Sequence, residues 1–448
     1  MQGTGEWLEE RLPRLLEEYG VPAAAVAIGY GDHVVDAAAG TLSTATGVAA
    51  TTDAIFQVGS VTKVFTATLV QQLADEGLVD LDLPVRTYVP GLRLGDEEAA
   101  ASITVRQLLT HTAGFEGDVF TDTGKGDDCL ERYVDLLAGV PQLFPPGELW
   151  SYNNAGFCVL GRLIALLRGR SYDECLREHL LDPLGLTHAA TDPYEAVLHR
   201  VAVGHVATAS DATLHPTPTW ALARSNAPAG SMLAMRARDL VAFAQHHLRT
   251  PALAAMREPQ VALPPIGQGV AWGLGWELFA QAPTPVVGHD GNTIGQSAFL
   301  RMLPEHDLAL AVLTNGGDGK GLHRAVAGHV LPALAGVELP AAPTPPPDNR
   351  TPADPTRYEG TYASVVGRTT VARDDAGRLW LDRTPLGELA EIDEPPYRTE
   401  LVAWQDDADV LWPLTPEGGA HQPVGFLGDD GTGRAAYLHT GRADRRVR

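Results

Sequence analysis

The chain has 448 residues, 44% of them hydrophobic and 20% charged, the balance of an ordinary globular protein. Its 33 Lys and Arg stand against 56 Asp and Glu, a net charge of −23, and the basic face that a nucleic-acid binder needs is missing. The length exceeds one ordinary core and predicts two or three folding units. The longest apolar run, Val21 to Ile28, is strand-sized and well short of the ~18 residues of a membrane span.

The N-terminal stretch MQGTGEWLEERLPRLLEEYG lacks the positive and apolar regions of a secretory signal, and reads as an acidic amphipathic helix over Gly5–Tyr19. Next, AAAVAIGYGDHVVDAAAG reads as a β-hairpin around the turn Gly31-Asp32. In GSVTKVFTATLVQQLADEG, Val64, Phe65, Thr68, Leu69 and Leu73 recur at helical spacing, and Gly77 ends the helix. From about residue 78 to 250, helical patterns alternate with Pro/Gly loops. Strands are predicted at Pro285–Gly288, Ser297–Leu303 and Leu308–Leu313, followed by a helix over Gly321–Leu334. Strands at both ends of a helical middle predict one antiparallel sheet with helices on it and an inserted helical subdomain, an α/β (α+β) class.

Seven of residues 340–355 are proline, so residues 339–357 read as a semi-extended linker between a first domain, 1–338, and a second, 358–448. In that last part, short strands such as Thr369–Arg373 and Arg378–Asp382 flank the turn Asp374-Asp375-Ala376-Gly377. A second turn, Gly428–Gly433, precedes Ala435–Thr440. This predicts a small all-β barrel with no part in the chemistry. The basic end, Arg442, Arg445, Arg446 and Arg448, reads as a solvated tail. The three cysteines, Cys129, Cys158 and Cys175, have no metal or CxxC spacing and fit core thiols in a reducing cytoplasm.

Lysine usage is the informative oddity: 30 Arg but only Lys63, Lys125 and Lys320. A lysine kept against this trend suits a role that requires losing a proton, which arginine cannot do. Lys63 lies three residues after Ser60 at the start of the predicted helix, on the same face. The helix N-terminus adds partial positive charge near the hydroxyl. A lysine desolvated between helix and sheet has a lowered pKa and can take the serine proton.

GSVTK resembles the active-site serine motif of the serine β-lactamase and penicillin-binding-protein superfamily, and the chain is similar to its class C β-lactamase-like branch of esterases, D-aminopeptidases and transacylases. Further segments resemble the branch in order: LLTHTAGF (Leu108–Phe115), FPPGELWSYNNAGF (Phe144–Phe157) with Tyr152-Asn153-Asn154 matching Y-x-N, LDPLGLTH, NAPAGSMLAMRARDLVAF, and VGHDGNTIG with His289-Asp290-Gly291 matching H-x-G. The resemblance spans about residues 10–335 and implies Ser60 as nucleophile, with Lys63, Tyr152, Asn154 and His289 as catalytic partners. It also implies an oxyanion hole from the N–H groups of Ser60 and Asn292, and a lipocalin-like second domain. Tyr152 can relay a proton, and Asn154 can donate to a substrate carbonyl and accept from Lys63. Gly291 leaves room for substrate to approach the backbone. The acidic, Gly-rich segment Glu116–Asp128, with Phe120, falls near the pocket rim in the resemblance and is a candidate for substrate choice.

His289 stands where antibiotic-degrading relatives carry lysine, which weighs against a β-lactamase. His111 is expected to be structural. His246 and His247 point to different helix faces, and no zinc or nucleotide motif is present, so no metal or cofactor is expected. The leading expectation is a serine hydrolase acting on a small-molecule or peptide substrate, an ester or amide that can carry a D-residue. The alternatives are a cytoplasmic transacylase or peptide cyclase that passes the acyl group to an amine or alcohol, and a non-catalytic sensor. Neither nucleic acid nor membrane is an expected partner, and the oligomeric state is left open.

Overall fold

The computed structural model describes residues 2–208, 211–280, 284–339, 343–352, 354–387, 396–403, 409–417 and 420–447. Helix α1 (Gln2–Tyr19) leads into the hairpin β1 (Ala23–Tyr30) and β2 (His33–Ser43). After the long middle come β3 (Glu277–Ala280), β4 (Val286–Asn292), β5 (Ser297–Leu303) and β6 (Leu308–Thr314), then a final helix, Gly319–Ala335. The ends meet where β1 pairs antiparallel with β6, Val26 opposite Val312. The sheet runs β2-β1-β6-β5-β4-β3, with short edge strands beyond each end, nine strands among the described residues.

Alternation explains why β1 is apolar throughout. Ala24, Val26 and Ile28 face α1 and the final helix, in a core with Leu8, Leu12, Leu322 and Val326. Ala23, Ala25 and Ala27 face the other way, into a core with Val64, Phe65, Val241 and Phe243. Both faces are covered, so no polar alternation survives. Ile28, with no exposed surface, contributes roughly 2 kcal/mol by burial.

The helix after Ser60 begins with a 3-10 turn at Gly59–Val61 and continues from Thr62 to Asp75. Every residue from Thr62 to Val70 is buried. The helix is buried all round because neighbours enclose it, among them the helix Asn154–Arg168.

Two features differ from the sequence expectation. The middle is not purely helical: it holds a three-stranded sheet (Phe56–Gln57, Ala234–Met235, Ala189–Ala190) and a hairpin of His205–Thr208 with Asp211–Pro216. Two-residue strands are too short for alternation to register. Strand β4 also continues past Gly288, so His289 lies within it, because the ladder to β5 (Asp290 opposite Phe299, Asn292 opposite Ser297) outweighs the poor strand propensity of Asp and Gly.

Beyond the proline-rich stretch, eight strands from Gly360–Ala363 to Ala443–Val447 form a closed barrel. The basic end is not a solvated tail. Arg445 and Arg446 lie in the strand that closes the barrel, with Ala363 opposite Arg445. The Arg446 guanidinium donates to the carbonyls of Glu359 (2.6 Å) and Arg357 (3.0 Å). Arg448 lies outside the described residues. Closure of the barrel, a non-local event, decides this; the local charge pattern does not.

Candidate active site

Ser60 sits on the 3-10 turn, partly exposed, and Lys63 begins the helix with no exposed surface. Lys63 Nζ lies 3.1 Å from Ser60 Oγ and 2.6 Å from the carbonyl of Ala229. Burial lowers the Lys63 pKa from 10.5 to about 7, opposed in part by the nearby Cys158 and Asp118 and aided by Arg442. Near neutral pH, the amine therefore exists in both protonation states beside the hydroxyl it would deprotonate.

Tyr152 closes the site from the loop before the helix Asn154–Arg168. Its ring centroid is 4.8 Å from Lys63 Nζ. Burial raises its pKa well above the phenol range, offset in part by a hydrogen bond with Ser60. The phenol stays protonated at neutral pH. Of the two candidate bases, only Lys63 has a lone pair free in that range.

His111, expected to be structural, holds this loop in three ways. Its carbonyl accepts from Ser151 N (2.9 Å), its Nδ1 accepts from Asn153 N (2.9 Å), and its ring stacks on Tyr152 with centroids 4.3 Å apart. It does so from a left-handed backbone with φ 58°. Such a strained conformation persists only where its surroundings over-determine it.

His289 is 2% exposed, with ring centroids 6.2 Å from Tyr152 and 5.4 Å from Trp272. Its Nδ1 lies 2.6 Å from the carbonyl of Asp290, an acceptor, so Nδ1 carries the proton and Nε2 keeps a lone pair. Nε2 is buried with no hydrogen-bond partner among the described residues. Burial and the nearby Lys63 push the His289 pKa down to about 3. Asp290, on the other face of β4, pairs with Arg301 at 2.5 Å.

Two expectations need correction. Asn154 does not accept from Lys63: its Nδ2 donates to Asp118 Oδ1 at 2.7 Å, and the lysine's second contact is the Ala229 carbonyl. The space beside Gly291 is not open to substrate. A Cβ there would lie 2.0 Å from Val58 O and 3.0 Å from Ser60 N, so the glycine lets β4 lie against the nucleophile turn. The same approach brings Asn292 N next to Gly59, which leaves the Ser60 and Asn292 backbones adjacent. Phe120 is half-buried two residues beyond Asp118 and takes no part in the ring cluster around Tyr152 among the described contacts.

The sequence reading missed the contribution of the barrel. Arg442 pairs with Asp118 (Nε–Oδ2 2.9 Å), and its guanidinium carbon is 4.9 Å from the Tyr152 ring centroid. The loop leading to Tyr152 is clamped by the last barrel hairpin. Tyr152 N donates to Gly441 O (3.0 Å), His439 Nε2 to Trp150 O (2.7 Å), and Ala443 N to Ser151 Oγ (3.1 Å). Phe144 shares a small core with Tyr437 and Ala443. The barrel therefore does touch the site, against the sequence expectation. Chain order alone carried no signal for Arg442, whereas Asp118 lay in the acidic segment already singled out.

The Beta-lactamase family model matches residues 8–335. The chain belongs to that family. It is 41% identical over 378 residues to "Penicillin-binding protein 4" of Amycolatopsis lactamdurans, covering 80% of this chain and 97% of that protein. The crystal structure of SurE superposes with TM-score 0.81 at 29% identity over 100% of both chains, barrel included. The D-amino acid amidase of Ochrobactrum anthropi SV3 shares the fold, with TM-score 0.61 at 24% identity, over 72% of this chain and 96% of that one. Among the described residues, no helix is long and apolar enough to cross a membrane.

Proposed function

We propose that the protein is an acyl-transfer enzyme working through a covalent ester on Ser60. The observation that carries this reading is Lys63, wholly buried, 3.1 Å from Ser60 Oγ and titrating near neutrality. Neutral Lys63 takes the Oγ proton as Oγ attacks the carbonyl carbon of an ester or amide. The carbonyl electron pair moves onto oxygen, stabilised by the N–H groups of Ser60 and Asn292. Collapse expels the alkoxide or amine, which receives the proton from Lys63 through the Tyr152 hydroxyl. An incoming nucleophile then returns a proton along the same route, attacks the ester, and frees Ser60.

Water as the nucleophile makes the protein a hydrolase, and this is the principal reading. A second reading, transfer to an amine or alcohol acceptor as in a transacylase or peptide cyclase, is favoured by Arg442. That guanidinium, 41% exposed, is a fixed cation beside Tyr152, suited to a carboxylate-bearing peptide. The whole-chain likeness to SurE, also solved with D-Leu, favours an acyl donor that carries a D-residue. The three unpaired, buried cysteines fit a reducing compartment, and a cytoplasmic location is part of the same proposal.

The test is intact-mass analysis after incubation with an activated aryl ester or a fluorophosphonate. Wild type should carry one adduct on Ser60, and Ser60→Ala none. Added amines should convert the acid product to amide only if transfer is the true reaction. No adduct on Ser60, or equal turnover by Ser60→Ala, overturns the proposal.

A further inference from the structure

Glu116, Gly117 and Asp118 form a strap to which the mechanism above gives no role. Glu116 N donates to Pro141 O at 3.0 Å, and Ala155 N donates to Gly117 O at 2.9 Å. A Cβ on Gly117 would lie 2.6 Å from Asn153 Cα, so the strap rests directly on the segment that carries Tyr152 and Asn154. Its two acidic side chains reach the barrel. Glu116 Oε2 accepts from Val365 N at 3.3 Å, and Asp118 takes Arg442.

Asp118 does two things with one carboxylate that is 7% exposed. Oδ1 accepts from Asn154 Nδ2 at 2.7 Å and from Arg442 Nη2 at 3.3 Å, and Oδ2 accepts from Arg442 Nε at 2.9 Å. An ionised carboxylate only accepts, so it fixes which end of the Asn154 amide points its way. It also holds the guanidinium against the ring whose centroid lies 4.8 Å from Lys63 Nζ.

Resting on the acyl-transfer reading, we propose that Asp118 is a positioning residue through which the barrel sets both the orientation of Asn154 and the charge balance around Lys63. Two cations, Lys63 and Arg442, share the surroundings of one phenol, and Asp118 is the counter-charge bonded to this group. The charge of Asp118 favours protonated Lys63, and that of Arg442 opposes it. The other groups facing Lys63 are Cys158, Tyr152, His111 and His289. Those facing Asp118 from the strap and the barrel are Glu116 and Asp444, both carboxyls pushed up by burial.

The low lysine count makes a direct test possible. Protein labelled with carbon-13 at lysine Cε should give three signals, and the exposed Lys125 and Lys320 serve as internal references. Following the Lys63 signal against pH reads its protonation without any substrate. Asp118→Asn, which keeps the side-chain shape, should move the Lys63 midpoint down by about one pH unit, and Arg442→Gln should move it up by a similar amount. The double variant should fall between them. The rate of fluorophosphonate adduct formation on Ser60 should fall about 10- to 100-fold in Asp118→Asn, as misplacement of a site amide predicts. Thermal melts should confirm that each variant is folded, and Arg442→Gln carries the test if Asp118→Asn is not.

An unmoved Lys63 midpoint in the folded variants overturns the proposal, as does an unchanged acylation rate in Asp118→Asn. A wild-type chain that never acylates, but whose Lys63 midpoint shifts in opposite directions in the two variants, would sink the acyl-transfer reading and support the charge coupling. Normal wild-type acylation with no response to either variant would sink the coupling alone.

Discussion

Replacing Lys63 with methionine should abolish acylation and at the same time stabilise the fold, by an amount that depends on pH. Burial lowers the Lys63 pKa from 10.5 to about 7, a gap worth about 5 kcal/mol at roughly 1.4 kcal/mol per pH unit. Between those two values, the unfolded chain binds a proton that the folded chain does not, so wild-type stability rises with pH across this window. Below about pH 7 the folded protein bears the full cost of a buried ammonium. Methionine, of similar length and uncharged, removes that cost. Against the gain stands the loss of the Lys63 bond to the Ala229 carbonyl at 2.6 Å, with a buried acceptor left alone at about 1–3 kcal/mol. The net gain for Lys63→Met at pH 6 is therefore about 2–4 kcal/mol, and it should shrink by about 2–3 kcal/mol between pH 7 and pH 9 as the wild type recovers. Denaturant unfolding of both proteins at pH 6, 7, 8 and 9 checks both sign and slope. A methionine variant destabilised by the same amount at every pH would refute the view that Lys63 is held as a poorly solvated amine.

Lys63→Arg should be nearly as inactive as Lys63→Met in the adduct assay, because arginine keeps the charge but supplies no lone pair near neutrality; most of the rate surviving would leave Lys63 an electrostatic helper only. Removing the barrel by truncation after residue 339 should lower Ser60 acylation at least tenfold even in a folded product, since Gly441, His439 and Ala443 clamp the loop before Tyr152. Full activity in a folded truncation would show that the clamp is dispensable. Benzylpenicillin turnover should be far slower, by kcat/KM, than that of a short-chain aryl ester. Neutral His289, with its pKa near 3, cannot act as the cation that holds the β-lactam carboxylate, and Arg301 draws the Asp290 carboxylate away; β-lactam turnover matching that of esters would contradict this.

The sequence by itself determined the parts that depend on short-range order. A serine and a lysine three residues apart at a helix start must share a face, so their 3.1 Å meeting was legible before any fold was known. Apolar runs and turns likewise announced β1, β2, β5 and β6, and Asp374–Gly377 announced a barrel hairpin. Tertiary structure decided whatever required distant chain segments to meet. The Asn154 amide goes to Asp118 because the strap lies across it, and Lys63 finds the Ala229 carbonyl 166 residues away. Gly291 is glycine because the carbonyl of Val58 fills the space where a side chain would stand. Arg442 looked like one of several solvated arginines at a basic end. It belongs at the site because closing an eight-stranded barrel turns its last hairpin toward residue 152, and local charge or periodicity cannot encode a contact 290 residues apart along the chain.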